Sequence, residues 1–156
     1  MIINIIAAVG KNLELGKDNK LIWPIKEDLI YFKEKTLGKT VVMGKNTFYS
    51  IGKALPRRNN IVLTSGDIDI ENIKVLHDYK EVFSLDEDEI YIIGGESIYR
   101  LFLPYADNLY LTEIDKEEPL ADSYFPSFDK EDYNKKIIKE SSSDDLNYSF
   151  VRYRKK

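Results

Sequence analysis

The sequence predicts an α/β fold in a single domain, with a mostly parallel central β-sheet flanked by helices and an antiparallel C-terminal hairpin. Apolar runs bounded by turn residues alternate with helical patterns, which is typical of right-handed β–α–β crossovers. Runs such as residues 5–9 and 90–93 are apolar without alternation, as expected of parallel strands covered on both faces. A length of 156 residues with 43% hydrophobic content fits one domain spanning residues 1–156.

The predicted elements follow one another with short connections over most of the chain. Strands are predicted at residues 2–9, 40–43, 60–64, 73–76, 90–93 and 108–114, and helices at 25–36, 45–52, 79–85 and 96–103. Residues 10–22 form a long glycine-bearing loop, and loops of that length tend to be functional, so we expect a lid. Residues 135–140 and 148–153, joined by a polar loop, predict the hairpin.

Composition excludes several classes of function. The net charge is −4 and the charges are scattered, so we expect a small-molecule partner and no binding to nucleic acid or membrane. The chain has no cysteine, which excludes disulfides, thiolate metal sites and a cysteine nucleophile, and favours a cytoplasmic location. The apolar start is too short to span a bilayer and lacks the features of a signal peptide.

The sole histidine, His77, has no partner residues for a hydrolytic triad or a metal site, and we expect no metal. A lone histidine after a strand is usually a surface residue. A chain with so few candidate catalytic side chains suits redox chemistry in which a cofactor is the reactant.

One acid stands in an apolar pattern. Ile25, Asp28, Leu29 and Phe32 are spaced i, i+3, i+4 and i+7, which places Asp28 on the apolar stripe of a helix. The acid either caps the start of the helix or faces an apolar pocket that holds a cationic or amidine-like ligand. Position alone favours capping, although the neighbouring Glu27 is the better partner for the helix dipole.

Two strand–glycine–helix junctions, at residues 41–47 and 92–97, could each direct backbone N–H groups at an anion. Two such sites at the carboxyl ends of parallel strands could hold the two phosphates of one dinucleotide. Glycine at such junctions is also ordinary turn chemistry. Neither junction matches the Rossmann fingerprint or the Walker P-loop.

The ordered motifs resemble the dihydrofolate reductase family, in its bacterial chromosomal type, over nearly the whole chain. They are Ile6-Ala7-Ala8, Leu15-Gly16, Trp23, Glu27-Asp28-Leu29, Phe32-Lys33, residues 42–47, Ser50-Ile51-Gly52, Leu55-Pro56, Arg58, residues 60–65, Ile93-Gly94-Gly95, Ile98-Tyr99, residues 109–112, Asp122 and Phe125-Pro126. The resemblance implies the fold of that family, and NADPH-dependent reduction of 7,8-dihydrofolate to 5,6,7,8-tetrahydrofolate by a monomer that also binds antifolates.

By this resemblance, Asp28 would bind the pterin ring, and this interpretation replaces the capping role. Thr112 would support Asp28, Trp23 would hold a water, and Leu21 would cover the nicotinamide. Arg58 would bind the α-carboxylate of the glutamate tail. The remaining implied substrate contacts are Ile6, Ala7, Leu29, Phe32, Ser50, Ile51, Leu55 and Ile93.

The implied cofactor is NADPH, and a cis peptide is implied at Gly94-Gly95. His77 would lie near the 2′-phosphate, where the family often has Lys or Arg, and Ser97 replaces a basic residue found in some members. Ile22 precedes Trp23 and Pro24 follows it, whereas the family usually has proline just before the Trp and again two or three residues after it. The implied cofactor contacts are Ala8, Leu15, Gly16, Leu21, Gly44, Lys45, Asn46, Thr47, Leu63, Thr64, Ser65, His77, Ile93, Gly94, Gly95, Glu96, Ser97, Ile98 and Tyr99.

Two alternatives remain at this point. A pyrimidine reductase of the riboflavin pathway shares the fold and the use of NADPH, but Asp28 and Arg58 argue against it. A non-catalytic nucleotide-binding protein should lack the acid of the site.

Overall fold

An eight-stranded sheet forms the centre of the computed structural model, which describes residues 1–156. The strands are β1 (Ile2–Val9), β2 (Glu14–Lys17), β3 (Lys20–Leu21), β4 (Thr40–Gly44), β5 (Asn59–Leu63), β6 (Ile73–Leu76), β7 (Glu89–Gly94), β8 (Asn108–Ile114), β9 (Ser123–Tyr124), β10 (Tyr133–Ser143) and β11 (Leu146–Lys155). The α-helices are α1 (Lys26–Thr36), α2 (Lys45–Ile51) and α3 (Glu96–Phe102), and 3₁₀ helices span Tyr79–Ser84, Leu103–Tyr105 and Lys130–Asp132.

The strand order in the central sheet is β10-β11-β8-β1-β7-β4-β5-β6. The strands from β8 to β6 pair in parallel, while β11 pairs antiparallel with both β8 and β10. The predicted fold class, a mostly parallel sheet with an antiparallel C-terminal hairpin, is therefore confirmed.

Both faces of the sheet are covered, as the unalternated apolar strands predict. On one face Ile6, Met43 and Phe48 belong to a buried cluster against which Phe32 of α1 packs. On the other face Ile98 and its neighbours in α3 belong to a larger cluster of 20 buried residues. We therefore expect a ligand-binding site at the ends of the strands, which the helices leave uncovered. None of the helices has the length and hydropathy that a membrane-spanning helix requires.

The predicted long loop at residues 10–22 is wrong in detail, because β2 and β3 lie within it. They form a second, three-stranded sheet with β9. Asp18 and Asn19 connect β2 to β3 with φ values of 52° and 62°. Left-handed values at both central residues are typical of a tight hairpin turn, and Asp and Asn tolerate them well. The lid segment is thus a small hairpin and not an irregular loop.

Two further element predictions need correction. Residues 79–84 form a 3₁₀ helix and not an α-helix, and Asp78 and Glu81 make a capping box at its start. The C-terminal hairpin is much longer than predicted, and its polar loop shrinks to a turn at Asp144 and Asp145, where φ is 49° and 64°. The edge strand β10 is exposed over most of its length, so its residues carry no apolar alternation to extend the prediction.

Candidate active site

A cavity of about 800 Å³ opens at the carboxyl ends of the parallel strands, between the lid hairpin and the starts of the three α-helices. Ligand sites in open α/β sheets lie at this edge, and the volume is within the range of small-molecule and cofactor sites. Its walls come from the end of β1, the lid, α1, and the two glycine junctions. The cavity therefore brings together segments that the sequence predicts separately.

Asp28 lies on the wall of this cavity and does not cap the helix. The N-cap of α1 is Ile25, which is buried and makes no side-chain cap bond. The hydroxyl of Thr112, on β8, instead donates a hydrogen bond to Oδ1 of Asp28 at 2.6 Å. Burial raises the pKa of Asp28, and the hydrogen bond from Thr112 partly opposes this rise. The capping interpretation is wrong for this residue, and the acid faces an apolar cleft.

The neighbouring Glu27 has a different role. Its carboxylate accepts hydrogen bonds from Lys139, Ser141 and Tyr148 of the C-terminal hairpin, at 2.7, 2.6 and 2.7 Å. The bonds from Lys139, Ser141 and Tyr148 lower the pKa of Glu27 to about 2. Glu27 thus ties the first turn of α1 to the hairpin and fixes the helix segment that carries Asp28.

Apolar side chains flank Asp28 on the cavity wall. Leu29 and Ile51 are 51% and 38% exposed, and both lie on that wall. Exposed apolar groups that converge on a cavity are typical of a ligand-binding surface. Ile6, Phe32 and Ile93 complete the apolar walls.

The two glycine junctions meet across the cavity. A Cβ atom on Gly44 would lie 2.9 Å from a carbon of the Ile98 side chain, so no larger residue fits there without displacement. The peptide Gly94-Gly95 is cis, as the resemblance implies, and φ of Gly94 is 131°. Thr47 of the first junction contacts the second, with its hydroxyl 3.4 Å from a Cβ built on Gly95. The backbone of the junctions lines the cavity with Lys45, Asn46 and Ser97, and this wall suits the phosphate groups of a dinucleotide.

The lid hairpin contacts both sides of the cavity mouth. Ser50 on α2 donates a hydrogen bond to the carbonyl oxygen of Asn19 at 2.6 Å. On the other side the backbone N–H of Asp18 donates to Asp122 at 2.9 Å. Leu21, at the end of β3, is 51% exposed and lies on the cavity wall. The lid is therefore held over the cleft in this structure.

The cavity walls include most of the residues predicted for the site, whose individual roles remain predictions. Those on the walls are Ile6, Ala7, Ala8, Leu15, Gly16, Leu21, Asp28, Leu29, Phe32, Gly44, Lys45, Asn46, Thr47, Ser50, Ile51, Leu63, Ile93, Gly94, Gly95, Glu96, Ser97, Ile98 and Tyr99. Sequence reasoning missed Asn19, Lys20 and Ser123, which also line the cavity. The first two lie in the predicted lid, and Ser123 follows the Asp122 motif.

Seven predicted residues lie outside the cavity walls: Trp23, Leu55, Arg58, Thr64, Ser65, His77 and Thr112. Thr112 lies behind Asp28, and Trp23 packs against the buried cluster around Ile25. Arg58 is directed by a hydrogen bond from Nε to the carbonyl oxygen of Pro56 at 3.1 Å. Nδ1 of His77 lies 2.9 Å from the carbonyl oxygen of Thr64, so these two predicted cofactor contacts are neighbours.

This fold and site define a class of protein, a small cofactor-dependent oxidoreductase. The cleft combines two glycine junctions, which suit a dinucleotide, with one partly buried acid. Comparison with known proteins narrows the class. The sequence model of the family "Dihydrofolate reductase" matches residues 2–155.

Individual relatives agree with this match. The chain is 39% identical to the dihydrofolate reductase of Bacillus subtilis, over 99% of this chain and 95% of that protein. It is 37% identical to the Haemophilus influenzae enzyme of the same name, over 98% and 96% of the two chains. The structure of Enterococcus faecalis dihydrofolate reductase complexed with NADP(H) and RAB-propyl superposes with a TM-score of 0.90 at 30% identity, over 99% and 96%. The chain belongs to the dihydrofolate reductase family.

Proposed function

We propose that this cleft carries out the reaction of the family, NADPH-dependent reduction of 7,8-dihydrofolate to 5,6,7,8-tetrahydrofolate, with Asp28 as the acid that binds the pterin. The observation that carries the proposal is the pairing of Asp28 with Thr112 in an apolar cleft that also contains both glycine junctions. A site for nucleotide alone would need the junctions but not the acid.

The hydrogen-bonding capacity of Asp28 supports this ligand. An ionised carboxylate accepts about four hydrogen bonds, and Thr112 supplies the only protein hydrogen bond to this one. The free capacity suits a ligand that presents two adjacent N–H groups, such as the ring nitrogen and exocyclic amino group of a pterin. Such paired bonds to a charged group are stronger than neutral ones and also fix orientation.

The chemistry needs a hydride at pterin C6 and a proton at N5. The glycine junctions would hold NADPH, which would supply the hydride from C4 of its nicotinamide ring. Asp28 binds the far end of the pterin, so it promotes protonation at N5 through its negative charge, while solvent delivers the proton. The apolar walls reduce screening of that charge, and Leu21 of the lid limits access of water to the mouth of the cleft.

Other contacts of the cleft follow from the same assignment. Ile6, Leu29, Phe32, Ile51, Leu55 and Ile93 would pack against the pterin and the aminobenzoyl ring. The guanidinium of Arg58 would bind the glutamate carboxylate as a charge-assisted partner. Lys45 and Thr47 would contact the phosphates of the cofactor beside the glycine junctions.

The rival functions are not favoured. Membership of the dihydrofolate reductase family separates the chain from the riboflavin-pathway reductase. A non-catalytic nucleotide-binding protein has no need for an acid whose ionisation burial makes unfavourable. A cytoplasmic location, supported by the lack of cysteine, and a monomeric state, implied by the resemblance to the family, also form part of this proposal.

The test is the loss of NADPH absorbance when the purified protein is mixed with dihydrofolate, compared with the pyrimidine substrate of the rival reductase. We expect oxidation with dihydrofolate only. Asp28→Asn is the matched control, because it keeps the shape of the site and removes its charge. Turnover with the pyrimidine but not with dihydrofolate would contradict the proposal.

A further inference from the structure

Arg152 lies on the sheet face that α1 covers, and it is the feature that the proposed function leaves unexplained. It is partly buried on β11, and its Nε atom is buried without a hydrogen-bond partner. The hydroxyl of Tyr31 on α1 is likewise buried and unpartnered. Buried polar atoms of native proteins nearly always have partners, so two such atoms on one face call for an explanation.

The strand register places Arg152 next to the support of Asp28. Phe150 pairs with Thr112, and Arg152 pairs with Tyr110, one step further along the same face. Alternate residues of a strand are about 7 Å apart and share a face. Thr112 holds Asp28, and the backbone of Arg152 lies one such step from Phe150, the residue that pairs with Thr112.

Tyr31 lies between the two. It follows Asp28 by three residues on α1, so both side chains share one face of the helix. Its ring packs on Phe150 with centroids 4.4 Å apart. Burial raises the pKa of Tyr31 to about 12, with Tyr110 and Asp28 adding to the rise and Arg152 opposing it. The hydroxyl of Tyr31 is thus within electrostatic range of both the acid and the cation.

No carboxylate on this face lies within ion-pair distance of Arg152. Glu27 is bonded to Lys139, and Glu89 is paired with Lys39 at 3.1 Å, whereas Arg152 forms no ion pair. The other titratable or charged groups that face Asp28, Tyr31 or Arg152 are Glu34 and Lys35 on α1, Tyr91 on β7, Tyr99 on α3, Tyr110 on β8, Lys136 on β10 and Arg154 on β11.

We propose that Arg152 is a positioning residue for the reaction, whose unpaired cation favours ionised Asp28 and opposes protonation of the ring that Asp28 binds. The residue does not touch the ligand, and it acts through the face shared by Thr112 and Tyr31. This inference rests on the proposed function. Through its charge, Arg152 sets the pH range over which the bound substrate is protonated and hydride transfer is fast.

The test compares Arg152→Met with wild type by single-turnover hydride transfer over a range of pH. Removing one positive charge from this sheet face, in a partly screened setting, should move the midpoint of the pH profile upward by roughly 0.5 to 1 unit. Above the midpoint, hydride transfer should therefore be about 3- to 10-fold faster than in wild type. Arg152→Lys keeps the charge and should restore the wild-type profile.

A second readout needs no cofactor. The protonation midpoint of a bound 2,4-diaminopyrimidine, followed by its ultraviolet spectrum, should rise in Arg152→Met by a similar amount. Arg154→Met is the matched control, because Arg154 lies one step further along β11 and is exposed. Both of its midpoints should match wild type. Arg152→Gln is a second neutral variant, which tests the same charge with a polar side chain.

The outcomes separate this inference from the proposed function. If both neutral variants lower the rate by one factor at every pH, with both midpoints unchanged, Arg152 is only a packing residue and the inference is overturned. If wild type fails to reduce dihydrofolate while the inhibitor midpoint still shifts, the proposed function fails and the electrostatic role of Arg152 stands.

Discussion

Replacing Asp28 with asparagine tests the proposed chemistry most directly. The change keeps the shape and the acceptor for the Thr112 hydroxyl but removes the charge. For a carboxylate about 6 Å from the site of protonation at an effective dielectric constant of about 20, Coulomb's law gives about 2.8 kcal/mol. That energy corresponds to about two pKa units at pterin N5, and hence to a loss of about 100-fold in hydride transfer at neutral pH.

The expected loss can be larger, up to roughly 10⁴-fold, since the paired hydrogen bonds that orient the pterin also weaken. The assay is single-turnover oxidation of NADPH from acid to neutral pH. Much of the lost rate should return in acid, where the pterin takes up a proton unaided. Wild-type turnover of Asp28→Asn across the whole pH range would refute the role given to the charge.

Stability provides the control for this variant. Burial raises the pKa of Asp28 in the folded protein above its unfolded value. The stability that this group contributes is therefore fully present below the unfolded pKa and is lost as pH rises through the folded pKa. At pH 7 the neutral asparagine avoids that loss, so Asp28→Asn should melt at the same or a higher temperature than wild type. A folded, stable variant with slow hydride transfer separates catalysis from folding.

Three further predictions concern residues around the site. Arg58→Leu should raise KM for dihydrofolate by roughly 10- to 150-fold, the equivalent of about 1.5 to 3 kcal/mol, and leave binding of a diaminopyrimidine inhibitor without a carboxylate nearly unchanged; equal losses in a titration would indicate a structural role. His77→Gln should lower the affinity for NADPH relative to that for NADH, because the imidazole beside Thr64 would lose its contact with the 2′-phosphate; an unchanged ratio of the two affinities would make His77 a plain surface residue. The pKa of Glu27 is lowered to about 2, chiefly by Lys139, so its contribution to stability is present above the unfolded pKa and is lost as pH falls through about 2. Glu27→Gln should lower the melting temperature most near neutral pH and very little near pH 2, while Glu34→Gln, at an exposed position on the same helix, should change little at either pH.

The parallel strands were predictable because each is a continuous apolar run that must be buried on both faces. Elements with few buried side chains were not predictable from the sequence. The strands β2, β3 and β9 are two to four residues long, and they depend on the turn at Asp18 and Asn19 and on pairing across the lid. The long edge strand β10 pairs through its backbone, and only Tyr133 of its side chains is buried. Backbone pairing at an exposed edge leaves little trace in the order of side chains.

The candidate site divides in the same way. The glycine junctions and the lid could be predicted from local spacing, and the structure brings both to one cavity. The contact between Thr112 and Asp28 spans 84 residues of sequence, and no local pattern indicates it. Only the resemblance to a family implied it. The position of Lys20 on the cavity wall follows from the hairpin turn of the lid, which the sequence analysis did not predict.

Helix stability alone favours a capping role for Asp28, and the position of the residue explains why that prediction was wrong. Asp in the first turn of a helix is favourable when it caps the helix or faces solvent near the positive dipole end. In this protein Asp28 faces an apolar cleft, and burial there raises its pKa. The single hydrogen bond from Thr112 offsets only part of this rise, so the charge of Asp28 does not stabilise the fold. An asparagine would satisfy Thr112 without the cost of desolvating an ion. The presence of a carboxylate therefore fits the proposed ligand, a pterin that becomes positively charged on protonation. Arg152, on the adjoining step of the same sheet face, is the cation proposed to oppose that protonation.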